Sequence, residues 1–153
     1  MIPKKVMATN HDCGPIAEAI RDFIKECPYL PEFYKSINVD YQGADIGSYM
    51  IESTPANPWV KIYTNGTGIK QFPFVFSSKE LHSENVKRNI ENSGFYELFS
   101  EWLEECTRAG ALPKLEGRRQ PIKIFATTSG YVCDTQNEKA QYVIQCNFHY
   151  FQY

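Results

Sequence analysis

Three histidines, His11, His82 and His149, and five cysteines, Cys13, Cys27, Cys106, Cys133 and Cys146, carry most of the chemistry open to this 153-residue sequence. A metal would need two or more such groups converging, with spacing of the H-x3-H or C-x2-C kind. No such spacing occurs. His11 and Cys13 flank Asp12, an arrangement that an extended loop could turn into a ligand pair, but an ordinary loop is the simpler reading. A nucleophilic thiolate needs a base beside it and a third group to orient that base. Cys106 falls on the apolar face of a helix, where a thiol is buried and inert, whereas Cys133 precedes a turn and is expected to be exposed. No nucleophile elbow of the G-x-S-x-G type accompanies either. The residues therefore predict no enzyme, no metal and no cofactor.

Other constellations lead the same way. Glu97, Glu101, Glu104 and Glu105 share the polar face of one amphipathic helix, so a solvated face accounts for them better than paired catalytic carboxylates. Gly66 and Gly68 lie in a hairpin rather than between a strand and a helix, which excludes a phosphate loop. Phe72, Phe74 and Phe76 alternate along a strand with no basic stripe beside them, as core residues do and a base-stacking platform does not. Lys114, Arg118, Arg119 and Lys123 cluster in a loop region, yet the formal net charge is -2 and gives no general grip on phosphates. The odd cysteine count and irregular spacing fit free thiols in a reducing cytoplasm. The opening MIPKKVMATNHDCG has no apolar h-region, and no run is long enough to span a membrane. Aromatic residues make up 14% of the chain, a hint of assembly, since interfaces over-use them.

The elements that must position these residues can be read in order, as one domain over residues 1–153 with an arm at 1–13. Gly14-Pro15 opens a helix whose apolar face is Ile16, Ala19, Ile20, Phe23, Ile24 and Cys27, closed by Pro28 and Pro31. Strands follow from Ile37 to Tyr41, Ser48 to Ser53, Trp59 to Tyr63 and Ile69 to Phe76, with turns at Gly43–Gly47 and Thr64–Gly68. Pro73 places the fourth strand at an edge or puts a bulge there, because proline cannot donate to a ladder. Ser77, Ser78 or Ser83 could cap a short helix over Glu84 to Glu91 with Val86 and Ile90 inward, separated by Asn92-Ser93-Gly94 from the main helix. That main helix, Gly94 to Gly110, organises the rest: Phe95, Leu98, Phe99, Trp102, Leu103 and Cys106 form one stripe. Pro121 to Tyr131 and Ala140 to Tyr153 are strands around a polar turn at Asp134–Glu138. The expected fold is α+β: an antiparallel sheet of hairpins, a long amphipathic helix packed on one face, and an N-terminal helix.

Three segments add a family to this outline: QFPFVFSSKE (Gln71 to Glu80), NIENSGFYELFSEWLEE (Asn89 to Glu105), and TTSGYVCDT with AQYVIQCNFHYFQ (Thr127 to Thr135, Ala140 to Gln152). Together they resemble the small minor-capsid or tail-terminator-type proteins of tailed bacteriophages and of related tail-like particles of Gram-positive bacteria. Met1 to Cys13 and Glu32 to Lys35 lie outside the likeness. The resemblance implies a tail-terminator-like fold and a virion structural protein in the neck region, assembled in the host bacterial cytoplasm. It implies a homo-oligomeric ring, a hexamer by analogy with tail tubes, that caps the tube and joins it to the head-side connector. The tail tube protein, the sheath and connector proteins are the implied partners. DNA would pass an acidic lumen without specific binding. No catalytic residue is carried over. Candidate interface residues are Asn65, Gly66, Thr67 and Gly68 in the first hairpin, Phe72 and Phe74 in the fourth strand, Arg118 and Arg119, and Asp134 and Asn137 in the last turn. A head-side minor capsid or connector protein is the alternative within structure, and a small cytoplasmic binding domain the alternative from another class.

Overall fold

The computed structural model describes residues 15–30, 36–39, 48–81, 86–136 and 139–153. Their elements are α1 (Ile16–Ile24), β1 (Ser36–Val39), β2 (Ser48–Ser53), β3 (Trp59–Ile62), β4 (Gly68–Leu81), α2 (Val86–Ala109), β5 (Arg119–Ala126), β6 (Tyr131–Gln136) and β7 (Lys139–Gln152). The class is α+β. The arm, His11, Asp12 and Cys13, His82, Ser83, Asn137 and the Gly43–Gly47 turn lie outside the described residues, as do the side chains of Val86 and Ile90.

β4 and β7 are the spine. Each is fourteen residues long, and they pair antiparallel from Gly68↔Gln152 to Leu81↔Lys139. Strict alternation puts Phe72, Phe74 and Phe76 beside Phe148, Cys146 and Ile144 on one face. Two short strands lie end to end along each flank of this spine. β3 pairs with Gly68–Lys70 and β2 with Phe74–Ser78 of β4, while β5 and β6 share β7 in the same way.

This arrangement corrects the edge or bulge expected of β4, which is central and pairs with β7 through Pro73↔Asn147 without a register shift. Pro73 is tolerated because it lies where the neighbour changes from β2 to β3, a local edge inside a central strand. Its carbonyl still accepts from Thr54 N–H at 3.0 Å. The break between β5 and β6 is bridged likewise, Thr127 N–H donating to the Gln145 carbonyl at 2.8 Å and Gln145 N–H to Thr128 Oγ1 at 3.1 Å. The expected strand from Pro121 to Tyr131 is thus two strands, and β6 runs into the expected polar turn. A second correction concerns β1 and β2, which pair in parallel, Ser36↔Ser48 to Val39↔Ile51, so the sheet is mixed rather than built wholly of hairpins.

The helices cover one face. Ile20 and Ile24 of α1 are fully buried and Cys27 follows them into the core, as the periodicity predicts. α2 is continuous through Asn92-Ser93-Gly94, where two helices were expected. A mid-helix glycine costs only about 1 kcal/mol, and the packing of the following turns outweighs that. Its buried stripe also differs from the expected one. Phe99 and Leu103 are fully buried, but Leu98 is 41% exposed and Tyr96 is 1% exposed in its place. Tyr96 faces inward because its hydroxyl has partners there: Ser78 Oγ at 2.5 Å and the Tyr142 carbonyl, to which it donates, at 3.2 Å. Ser77 and Ser78 are therefore buried β4 residues and do not cap a helix. Phe99 stacks on Phe76 with ring centroids 4.8 Å apart, coupling α2 to the spine. Each such fully buried ring contributes about 1.5–3 kcal/mol. Gly110, with φ of 73°, terminates α2 as the sequence predicts.

Thr107 fixes the far edge. Its hydroxyl donates to the Ile124 carbonyl at 2.7 Å and accepts from Ile124 N–H at 3.1 Å. The outward backbone groups of β5 are satisfied by a helix side chain at that point, which blocks strand addition there.

Candidate functional site

Among the described residues no group of three or more metal-binding side chains converges. Cys133 is exposed at a β-bulge, the unpaired residue between Val132↔Tyr142 and Asp134↔Gln141. His149 lies seven or more residues further along β7, opposite Lys123. At about 3.4 Å per residue the two are roughly 24 Å apart, too far for a thiolate–imidazole pair. His149 instead meets the Phe125 ring edge-on at 5.3 Å, and burial, then the Lys123 charge, push its pKa below the ordinary value. Burial raises the Cys27 thiol to about 11 and also raises Cys106 and Cys146, so these three are poor nucleophiles.

The surface is more informative than any single group. Val60 and Ile62 of β3 are 48% and 59% exposed, and Tyr63 beyond them is 39% exposed. β3 pairs only with β4, so its outer edge is open among the described residues. The lysines of the β3–β4 hairpin lie over rings: Lys70 Nζ of β4 is 4.6 Å from the Trp59 centroid and Lys61 Nζ of β3 is 5.2 Å from that of Tyr63. The hairpin loop beyond is closed by its own hydrogen bonds. Asn65 Oδ1 accepts from Thr67 N–H at 3.2 Å and Oγ1 at 2.7 Å, Gly66 takes φ of 87°, and Tyr63 N–H donates to the Thr67 carbonyl at 2.7 Å. A side chain at Gly68 would collide with the Lys61 carbonyl oxygen.

A second feature lies in the helical layer. Phe23 of α1 stacks on Trp102 of α2 with centroids 4.7 Å apart. Together with Cys106, Leu112 and Pro113 they line a cleft of about 680 Å³, with Asp22, Glu26 and Lys114 also on its walls. A smaller hollow of about 210 Å³ adjoins it, where Lys114 and Arg119 meet Glu18, Asp22 and Glu116.

The expected interface residues fare unevenly. Asn65, Gly66 and Thr67 project at the hairpin tip, and Gly68 is buried at its base. Phe74 is a correction: at 1% exposure it is core, and Phe72, half-buried, packs against that core. Arg118 is exposed, and its carbonyl accepts from Tyr153 N–H at 2.8 Å. Arg119 is half-buried with its Nε 3.2 Å from the Glu116 carbonyl. Asp134 is described only as the β6 partner of Gln141, and Asn137 lies outside the described residues. The basic cluster is not one patch either. Arg119 turns toward the acidic helical layer, whereas Lys123 pairs with His149 on the opposite face, 5.0 Å from the Phe125 ring.

Sequence reasoning passed over Val60, Ile62 and the Phe23–Trp102 cleft. The signal for the strand was available: WVKIY lacks the alternation of a half-buried strand and follows a proline-rich break, as an uncovered edge would. The cleft had no such signal, since Phe23 and Trp102 fit a core stripe equally well. Compared with known proteins, the chain matches no protein-family model and no curated sequence.

Proposed function

We propose that this chain is a virion structural protein, a tail terminator or head–tail joining subunit that acts by shape. In this role copies meet head to tail, close into a ring on the tail tube, and offer the opposite rim to the connector. The observation that carries the reading is where the phage-like segments fall. Gln71 to Glu80 lies in β4, Asn89 to Glu105 in α2, and Thr127 to Thr135 with Ala140 to Gln152 supplies most of β6 and β7. These are the spine and the helix packed on it, so the resemblance covers the scaffold rather than a peripheral loop. The open, apolar edge at β3 supports assembly, because a strand edge of this kind pairs or packs with another chain. Ring closure needs two different patches on each subunit, and β3 and the helical cleft share no residue.

Turnover has no part in this role. The net charge of -2 supports passage of DNA without specific binding. Native mass spectrometry of the chain with its tube protein is the test. A closed ring, six copies by analogy with tail tubes, is expected; monomers throughout in the presence of the tube would refute the reading.

A further inference from the structure

We infer that the uncovered face of the sheet in one copy packs on the acidic outer stripe of α2 in a second copy, a contact that rests on the assembly role proposed above. Both helices lie on the side of Phe74, Phe76 and Phe148. The residues that alternate with these, odd-numbered from Ile69 to Val75 in β4 and from Gln145 to Phe151 in β7, face the other way. No helix among the described residues covers them. A sheet face meant for water turns polar at such positions, yet Val75, Phe125 and Phe151 stand here half-exposed. Tyr63 and Tyr153 extend the row, with ring centroids 6.2 and 4.8 Å from that of Phe151.

Charge selects the occupant. Lys61, opposite Ile69, and Lys123, opposite His149, are exposed on this face. Each lies along a ring beside it, Nζ being 5.2 Å from the Tyr63 centroid and 5.0 Å from that of Phe125, so little side-chain order is lost on docking. β3, β5, Gly68–Val75 and Gln145–Gln152 contain no Asp or Glu, and Glu52 of β2, opposite Val75, bounds the region. The outer stripe of α2 is the reverse. Glu97, Glu101, Glu104 and Glu105 are exposed there without an ion pair among the described residues, and Arg108 is the cation beside them. Leu98, 41% exposed, stands among these carboxylates one turn before Glu101, where it would enter the aromatic row. Spacing agrees as well. Lys61 and Lys123 are three strands and two residues apart, roughly 16 Å, and Glu97 to Glu105 is roughly 12 Å along the helix, a difference that these long side chains absorb. The two surfaces lie on opposite sides of one subunit, so each copy can give one and receive one, the heterologous contact a ring requires.

Zero-length cross-linking tests this on the native chain. Isotopically heavy and light preparations are mixed from micromolar to millimolar protein and treated with a carbodiimide, which joins a lysine amine to a carboxylate it touches. Mass spectrometry is expected to find heavy–light peptides joining Lys61 or Lys123 to a glutamate between Glu97 and Glu105. In sedimentation, Leu98→Asp and Lys123→Glu should each weaken self-association about tenfold with unchanged circular dichroism, since both residues are exposed in the single chain. Glu101→Lys should recover what Lys123→Glu loses. Absence of the heavy–light peptides at the highest concentration, or association indifferent to both Leu98→Asp and Lys123→Glu, overturns the contact. The collar role is read separately, by whether the chain occupies the particle's neck, so the two ideas can fail independently.

Discussion

Replacing Thr107 by valine removes one hydroxyl and keeps its shape, yet it strips β5 of its edge protection. Two hydrogen bonds are lost, from Ile124 N–H at 3.1 Å and to its carbonyl at 2.7 Å. The Ile124 side chain is fully buried, so its backbone groups have limited access to replacement water. A net bond is worth about 0.5–1.5 kcal/mol, and a stranded buried donor about 1–3 kcal/mol, so Thr107→Val should destabilise by roughly 1–3 kcal/mol. For a domain of this size that is a fall in Tm of roughly 3–10 °C. Thr107→Ser keeps the hydroxyl and should retain most of the stability. Urea denaturation gives the free energies, with an unchanged m value showing that the native fold is kept. Light scattering near the midpoint should rise for the valine variant, since an open strand edge recruits other chains. If Thr107→Val lies within about 0.5 kcal/mol of the parent, or Thr107→Ser is equally damaging, the edge-sealing argument is wrong.

Three further outcomes follow from the same structure. Tyr96→Phe should cost about 1–3 kcal/mol in denaturant melts by stranding buried Ser78, and adding Ser78→Ala should cost less than the two single changes summed; strict additivity would deny the bond. Gly68→Ala should disrupt the β3–β4 hairpin because the new Cβ meets backbone rather than a movable side chain, seen as loss of amide protection from Trp59 to Lys70 with the β4–β7 core intact. His149, whose folded pKa is lowered by burial and then by Lys123, contributes stability that is complete above its unfolded value of 6.5 and is lost as pH falls toward the folded value. His149→Gln should flatten that acid-side decline, and an identical pH profile would exclude the assignment.

Much of the fold was legible because apolar periodicity is a physical demand. The α1 stripe and the Tyr142-to-Tyr150 alternation of β7 are buried as their spacing requires. Pro73 misled because the rule it obeys is local: it needs an unpaired N position, and the junction of β2 and β3 supplies one inside a central strand. Leu98 and Tyr96 exchanged places because the partner that makes a buried tyrosine acceptable, Ser78, is 18 residues away in another element. The parallel β1–β2 pair depends on chain direction, which side-chain patterning does not record. Candidate surface residues were the hardest to read, since Phe74 and Ile62 have the same composition signal and only tertiary packing buries one at 1% and leaves the other 59% exposed.

In the role proposed above, this polypeptide is one subunit of a collar and makes or breaks no bonds. Cryo-electron microscopy of the neck of the purified particle would show a closed ring of this α+β subunit between tube and connector; a neck without the chain, or holding one solitary copy, would rule that role out.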